Sequence, residues 1–167
     1  MTKLLFTGAS GFLGYNIRPI LEKTYDVHTI GLTDDDDIKI KIAMEIPPIN
    51  THYDVVLHAA GKAHTVPKTE EEKQVFYDVN YQGTVNLCKA LEKAGIPKTL
   101  VFISTVAVYG CEFGELITEE HPLEGTTPYA ESKIMAEKFL TDWCAEHGVV
   151  LGILRPSLLA GHKAPGN

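Results

Sequence analysis

The sequence predicts an α/β fold: a doubly wound parallel sheet with helices on both faces. Three observations predict it. Short apolar runs alternate with amphipathic stretches of helical length along the whole chain. The first run ends in a glycine-rich turn that opens into the first helical stretch. No internal repeat or low-complexity linker interrupts the alternation. Strands joined through helices run parallel, and a parallel sheet needs helices on both faces to bury it.

The elements follow in order. Residues 3–7 are an apolar run stopped by Gly8 and read as a buried strand. Residues 12–23 have helical spacing, with Leu13, Ile17, Ile20 and Leu21 on one face. Pro19 removes a donor there and is expected to kink or shorten the helix. Residues 27–32 give the second strand and 38–42 a weak third, where Lys39 and Lys41 alternate with isoleucines. Pro47-Pro48 breaks the chain before a fourth strand at 54–60. Residues 70–94 contain a long helix ended by Gly95 and Pro97, and 99–104 form the fifth strand. A polar loop at 112–127 leads into a second long helix at 129–147, stopped by Gly148. Residues 149–154 are the sixth strand, closed by Arg155-Pro156. The tail 158–167 is loop-like, and its stop at Ala164-Pro165-Gly166-Asn167 reads as a truncation. The expected organisation is one nucleotide-binding domain over 1–167, with a C-terminal substrate domain absent.

Composition narrows the partners. The 167 residues are enough for one domain with a sizeable core. A net charge of -7, with an acidic run at 34–37, argues against nucleic acid, which needs clustered Lys and Arg. It leaves room for an anionic small ligand held by backbone amides. Cys88, Cys111 and Cys144 lack metal-ligand spacing and leave an odd count, so no metal site and reduced thiols are expected. The N-terminus lacks the apolar core of a signal peptide, and no apolar run is long enough to span a bilayer. The expected compartment is the cytoplasm, with no membrane partner.

Two segments carry chemistry. Thr7-Gly8-Ala9-Ser10-Gly11-Phe12-Leu13-Gly14 joins the first strand to the first helix. Gly8 permits the tight turn, Gly11 lets backbone amides approach a pyrophosphate, and Gly14 lets the helix pack close to the sheet. The unpaired amides of the helix start face the phosphates. Gly8, Ser10, Gly11, Phe12, Leu13 and Gly14 are therefore candidate dinucleotide contacts. The second segment, Tyr129-Ala130-Glu131-Ser132-Lys133, opens a helix and puts Lys133 one turn from Tyr129. Free tyrosine, with a pKa of about 10, is a poor base at neutral pH, and a nearby ammonium favours its phenolate. Tyr129 then serves as general base on a substrate hydroxyl. A Tyr-x-x-x-Lys pair alone does not separate this from a surface pair. The context comes from the buried strand ending in Ser104-Thr105, because ligands of doubly wound sheets bind at the carboxyl ends of strands.

With these segments in order, the chain resembles the extended short-chain dehydrogenase/reductases, specifically the NAD-dependent epimerase/dehydratase family with its Rossmann-type sheet. The resemblance covers almost the whole chain. It rests on the Gly-x-x-Gly-x-x-Gly loop, His58-Ala59-Ala60-Gly61, Val79-Asn80, Ser104-Thr105 with Val108-Tyr109-Gly110, Tyr129 to Lys133, and Leu154-Arg155-Pro156. It implies that Thr105, Tyr129 and Lys133 are catalytic, with Tyr129 and Lys133 also at the cofactor. It implies that Ala59, Ala60 and Gly61 line the cofactor pocket and that Asn80 braces strand and helix. It implies NAD or NADP as cofactor, a nucleotide-sugar substrate, and hydride transfer through a keto-sugar.

The chain departs from the family pattern in places. Thr33 stands at the cofactor-binding position where an acidic residue usually ends the second strand, and Asp34 comes one position late. Lys41 stands where an Asp usually follows the third strand. These leave NAD and NADP open. Val106 and Ala107 replace the Asp-Glu pair of sugar dehydratases, which favours an epimerase or simple reductase. A cofactor-binding module without catalysis and a reductase of a non-sugar carbonyl stand as alternatives. The stripes Met135, Phe139, Trp143 and Val79, Gly83, Leu87, Leu91 offer either core packing or a four-helix homodimer interface.

Overall fold

The computed structural model describes residues 1–63 and 65–162, so the expectations about residues 163–167 lie outside the described residues. Six strands form one parallel sheet: β1 (Thr2–Thr7), β2 (Tyr25–Gly31), β3 (Ile38–Lys39), β4 (Val55–His58), β5 (Thr99–Ile103) and β6 (Val150–Leu154). Their spatial order is β3-β2-β1-β4-β5-β6. The chain therefore moves one way from β1 and the other way from β4, and a crevice opens at their carboxyl ends.

The pleat sorts the core. Leu4 and Phe6 of β1 pack with Leu57 against Ile17 and Leu21 of α1 (Phe12–Leu21). Leu5, Val56, Leu100 and Phe102 point the other way, against Leu87 and Leu91 of α3 (Gly83–Ala94) and Leu140 of α4 (Pro128–His147). This two-sided burial is what the continuous apolar runs of the strands imply.

Several boundaries differ from expectation. α1 ends at Leu21, two residues past Pro19, with the Glu22 amide bonded to the Arg18 carbonyl. β3 has two residues rather than five, because Ile42 turns inward to pack beside Gly83 instead of extending the edge. The single helix expected over 70–94 has three parts: α2 (Glu70–Phe76), a π-helical turn (Tyr77–Gln82) and α3. Such turns mark functional sites more often than chance. A 3₁₀ turn at Val106–Tyr109, capped by Thr105, was not foreseen. The two helical stripes pack mainly inward: Gly83, Leu87, Leu91 and Trp143 are buried within the chain, and Met135 stays exposed.

Candidate active site

The glycine loop has the geometry its sequence requires. Gly8 has φ +78°, and a Cβ there would fall 2.6 Å from the Ala60 nitrogen. Gly11 is the N-cap of α1 and offers no side chain to the helix amides, which stay available to a ligand. Gly14 is a packing residue: a Cβ would lie 2.2 Å from the Ala9 carbonyl oxygen.

A cleft of about 430 Å³ runs from this loop to the start of α4. Gly8, Gly11, Phe12 and Leu13 line one end; Thr105, Tyr129 and Lys133 line the other. Ala59, Gly61, Lys62 and Ala63 supply one wall, and Pro156 with residues 157–159 another. Ala60 does not line this cleft; it packs against the core, with its amide bonded to Thr7. Ser10 and Thr33 line a separate hollow of about 630 Å³ with Arg18, Asp35 and Asp36. There Asp36, from the loop after β2, accepts bonds from the Thr33 amide at 3.0 Å and its hydroxyl at 2.7 Å. Lys41 is exposed and does not line that hollow.

α4 starts where Thr127 accepts the Ala130 amide and Pro128 enters the first turn. This aims Tyr129 and Lys133 at the cleft. The Lys133 ammonium is buried, donates to the Ile103 carbonyl at 2.8 Å and lies 4.7 Å from the centroid of the Phe102 ring. Burial pushes its pKa down to about 8, against the pull of Glu137. Burial also raises the Tyr129 phenol, and the Thr105 hydroxyl lowers it through a hydrogen bond. Thr105 is itself fixed by accepting the Ala107 amide at 3.2 Å.

Around this pair lies a set of buried polar groups. Asn80, on the π-helical turn, accepts the Lys62 amide at 2.8 Å and donates to the Lys62 carbonyl at 3.1 Å. It also donates to the Ser132 hydroxyl at 2.9 Å, so one side chain ties the cleft wall to α4. Glu137, one turn beyond Lys133, accepts the Ser104 hydroxyl and two bonds from Arg155 at 3.0 and 2.6 Å. Arg155 also donates to the Tyr109 hydroxyl and the Glu119 carbonyl. Sequence reasoning missed Glu137 and Lys62. The available signal for Glu137 was its spacing: Tyr129, Lys133 and Glu137 follow at steps of four, along one helix face. Lys62 carried no such signal.

The arrangement is one cleft with the uncapped amides at the start of α1 at one end and a hydroxyl, phenol and ammonium at the other. It fits a dinucleotide lying across the strand reversal. Comparison with known proteins agrees: residues 4–167 match the profile of the NAD dependent epimerase/dehydratase family.

The chain belongs to that family. It is 34% identical to an N-acetyl-alpha-D-glucosaminyl-diphospho-ditrans,octacis-undecaprenol 4-epimerase of Escherichia coli O157:H7, over 98% of this chain and 51% of the relative. It is 31% identical to a GDP-6-deoxy-D-mannose reductase of Pseudomonas aeruginosa, over 99% of this chain and 54% of the relative. Among solved structures it is similar to RMD from Pseudomonas aeruginosa complexed with NADPH, with TM-score 0.77 and 27% identity over 93% of this chain and 54% of that one. The chain thus spans about half the length of these family members. Among the described residues no helix is long and apolar enough to cross a membrane, and no group of three metal-ligating side chains occurs.

Proposed function

We propose that residues 1–167 form the NAD(P)-binding and catalytic domain of an epimerase or reductase acting on nucleotide-sugars. The observation that carries this is the single cleft joining the glycine loop to Thr105, Tyr129 and Lys133. The amides at the start of α1 hold the pyrophosphate; Lys133 holds the nicotinamide ribose. The Thr105 hydroxyl and the Tyr129 phenol hold one sugar hydroxyl, and Tyr129 takes its proton. When bound, NAD or NADP supplies a ring that takes up the hydride from the same carbon. In an epimerase Tyr129 would return the proton as the keto carbon is reduced on its opposite face; a reductase would run only that reductive half, with Tyr129 protonating the oxygen of a keto-sugar substrate. Val106 and Ala107, beside Thr105, carry no proton-transferring group, so dehydration is not part of the reading.

NAD is the preferred cofactor. The hollow next to the loop is rimmed by Glu22, Asp35 and Asp36, and its Arg18 is committed to Glu22 at 2.7 Å. A 2′-phosphate would meet the carboxylates of Asp35 and Asp36 there, with Arg18 already paired to Glu22. The unpaired Cys88, Cys111 and Cys144 fit a cytoplasmic protein. A homodimer through α3 and α4 would use Met135, checked by light scattering.

The test is calorimetry followed by substrate screening. NAD⁺ is expected to bind at least about tenfold more tightly than NADP⁺, a difference of roughly 1.4 kcal/mol. UDP- and GDP-sugars are then offered to the cofactor-loaded protein, with a polyprenyl-diphosphate sugar alongside. Exchange of label between sugar C–H and cofactor supports the reading. No cofactor binding, or exchange with the polyprenyl sugar alone, overturns it.

A further inference from the structure

The segment after β4 lends Ala59 and Gly61 to the cleft, but His58, the last residue of β4, does not line the cleft and is fully buried. Both ring nitrogens are engaged. Nδ1 lies 2.6 Å from the Thr7 hydroxyl and Nε2 lies 2.9 Å from the Thr84 hydroxyl. The outer partners fix the directions. Thr84 has one proton and donates it to the Asn80 carbonyl at 2.6 Å, so it accepts from His58 Nε2–H. Nδ1 accepts the Thr7 hydroxyl, whose oxygen takes the Ala60 amide at 3.1 Å. The imidazole is a neutral Nε2–H tautomer; burial and the Lys133 charge push its pKa down to about 3.

The two ends of this bridge adjoin the two ends of the cleft. Thr7 immediately precedes Gly8, the first residue of the phosphate loop. Asn80, beyond Thr84, holds the Lys62 backbone and the Ser132 hydroxyl, and Ser132 donates to the Tyr129 carbonyl at 2.8 Å. A continuous chain of hydrogen bonds therefore runs from the phosphate seat, through His58, to the backbone of the base. Its members sit on four separate elements: β1, β4, the π-helical turn with α3, and α4. No covalent stretch shorter than 51 residues joins Thr7 to His58.

We infer that His58 is a positioning residue whose two-sided bridge sets the spacing between the phosphate loop and the Tyr129–Lys133 end of the cleft. The inference rests on the cofactor reading above. A ligand that touches both ends of the cleft then depends on the bridge; a ligand that touches one end does not. NAD⁺ is the first kind. ADP, with adenosine and diphosphate but no nicotinamide ribose, is the second.

The experiment compares the affinities of NAD⁺ and ADP for the wild-type chain and for His58→Phe, which keeps a planar ring and removes both bonds. The expected result is a loss of about tenfold for NAD⁺, the scale of one buried hydroxyl left unpaired. ADP affinity is expected to stay within about twofold. A purely structural role would weaken both ligands equally or only lower the melting temperature, and either result overturns the inference. Thr84→Val, at a residue that does not line the cleft, is the second variant and serves if His58→Phe does not fold; the same selective loss of NAD⁺ is expected. In the wild type, ¹⁵N spectra should show a pyrrole-like Nε2 and a pyridine-like Nδ1 for His58, and the opposite tautomer would overturn the bridge. Wild-type protein that binds neither ligand refutes the cofactor reading itself, whereas equal losses in the variants refute only the role of His58.

Discussion

Removing the Glu137 carboxylate should destabilise the fold far more than removing a surface acid. Glu137 is 2% exposed, and the Arg155 side chain facing it is 16% exposed. In Glu137→Ala the Arg155 guanidinium keeps the Tyr109 hydroxyl and the Glu119 carbonyl but loses its counter-charge and two of its four bonds. Ser104 loses its acceptor as well. Breaking one side of a buried pair costs about 3–5 kcal/mol. For a domain of this size that corresponds to a fall of roughly 6–20 °C in melting temperature. Replacing both partners with apolar residues, Glu137→Leu with Arg155→Met, should recover most of the loss, because no charge is left unpaired. Urea denaturation followed by circular dichroism measures Glu137→Ala, and a double-mutant cycle of Glu137→Leu, Arg155→Met and the double variant isolates the pair. A cost below about 1 kcal/mol for Glu137→Ala is the value expected of a solvent-screened pair. That result would refute the reasoning that Glu137, bonded to Ser104 after β5 and Arg155 after β6, holds these segments to α4.

The other predictions concern the cleft and its protons. Gly11→Val should abolish measurable NAD⁺ binding by calorimetry, since the new side chain fills the approach to the α1 amides and its Cβ crowds the Gly8 carbonyl oxygen at 3.3 Å; unchanged affinity would place the phosphates elsewhere. Tyr129→Phe in the enzyme is expected to lower turnover roughly 10²- to 10⁴-fold, and near-normal turnover would exclude Tyr129 as base. Stability should fall as pH drops from about 6.5 toward 3, because the unfolded state takes up a proton on His58 that the folded state refuses. By the same sign, stability should rise with pH from about 8 to 10.5, where unfolded Lys133 is still protonated and the folded, buried amine is not. Denaturation at several pH values checks both slopes; a His58→Phe variant with an unaltered acid slope would assign that slope to other groups.

The sequence made the framework legible because its signals are local. An apolar run stopped by glycine, a Thr cap before Pro128 and a glycine after His147 each encode an element through its own backbone chemistry. The glycine loop and the Tyr129–Lys133 spacing were legible for the same reason. What failed to show depended on contacts far along the chain. Residues 40–42 alternate like a strand, yet Ile42 gains more from burial beside α3 than from extending an exposed edge. The π-helical turn leaves no pattern in a helical repeat; its purpose is visible only once Asn80 is seen holding Lys62 and Ser132. Thr33 was identified as a departure from an acidic ribose-binding position. The structure folds Asp36 back onto Thr33 from three residues later, a contact that no position-by-position comparison detects.

This difference between local and distant information explains the character of the site. The groups that would meet the ligands, Gly11, Thr105, Tyr129 and Lys133, sit at ends of strands and starts of helices, where short sequence patterns place them. Around them lie side chains that do not line the cleft: His58, Thr84, Asn80, Glu137 and Arg155. All but Arg155 are buried, and among the described residues no buried side-chain donor or acceptor lacks a partner. Polar groups in such a dry setting are costly unless every bond is made, so each added member restricts the geometry of the rest. An open crevice at the end of a sheet has little apolar packing of its own to hold a phenol and a phosphate seat at fixed spacing. Here the buried polar network below the crevice does that, and its weakest link should limit cofactor binding before it limits folding.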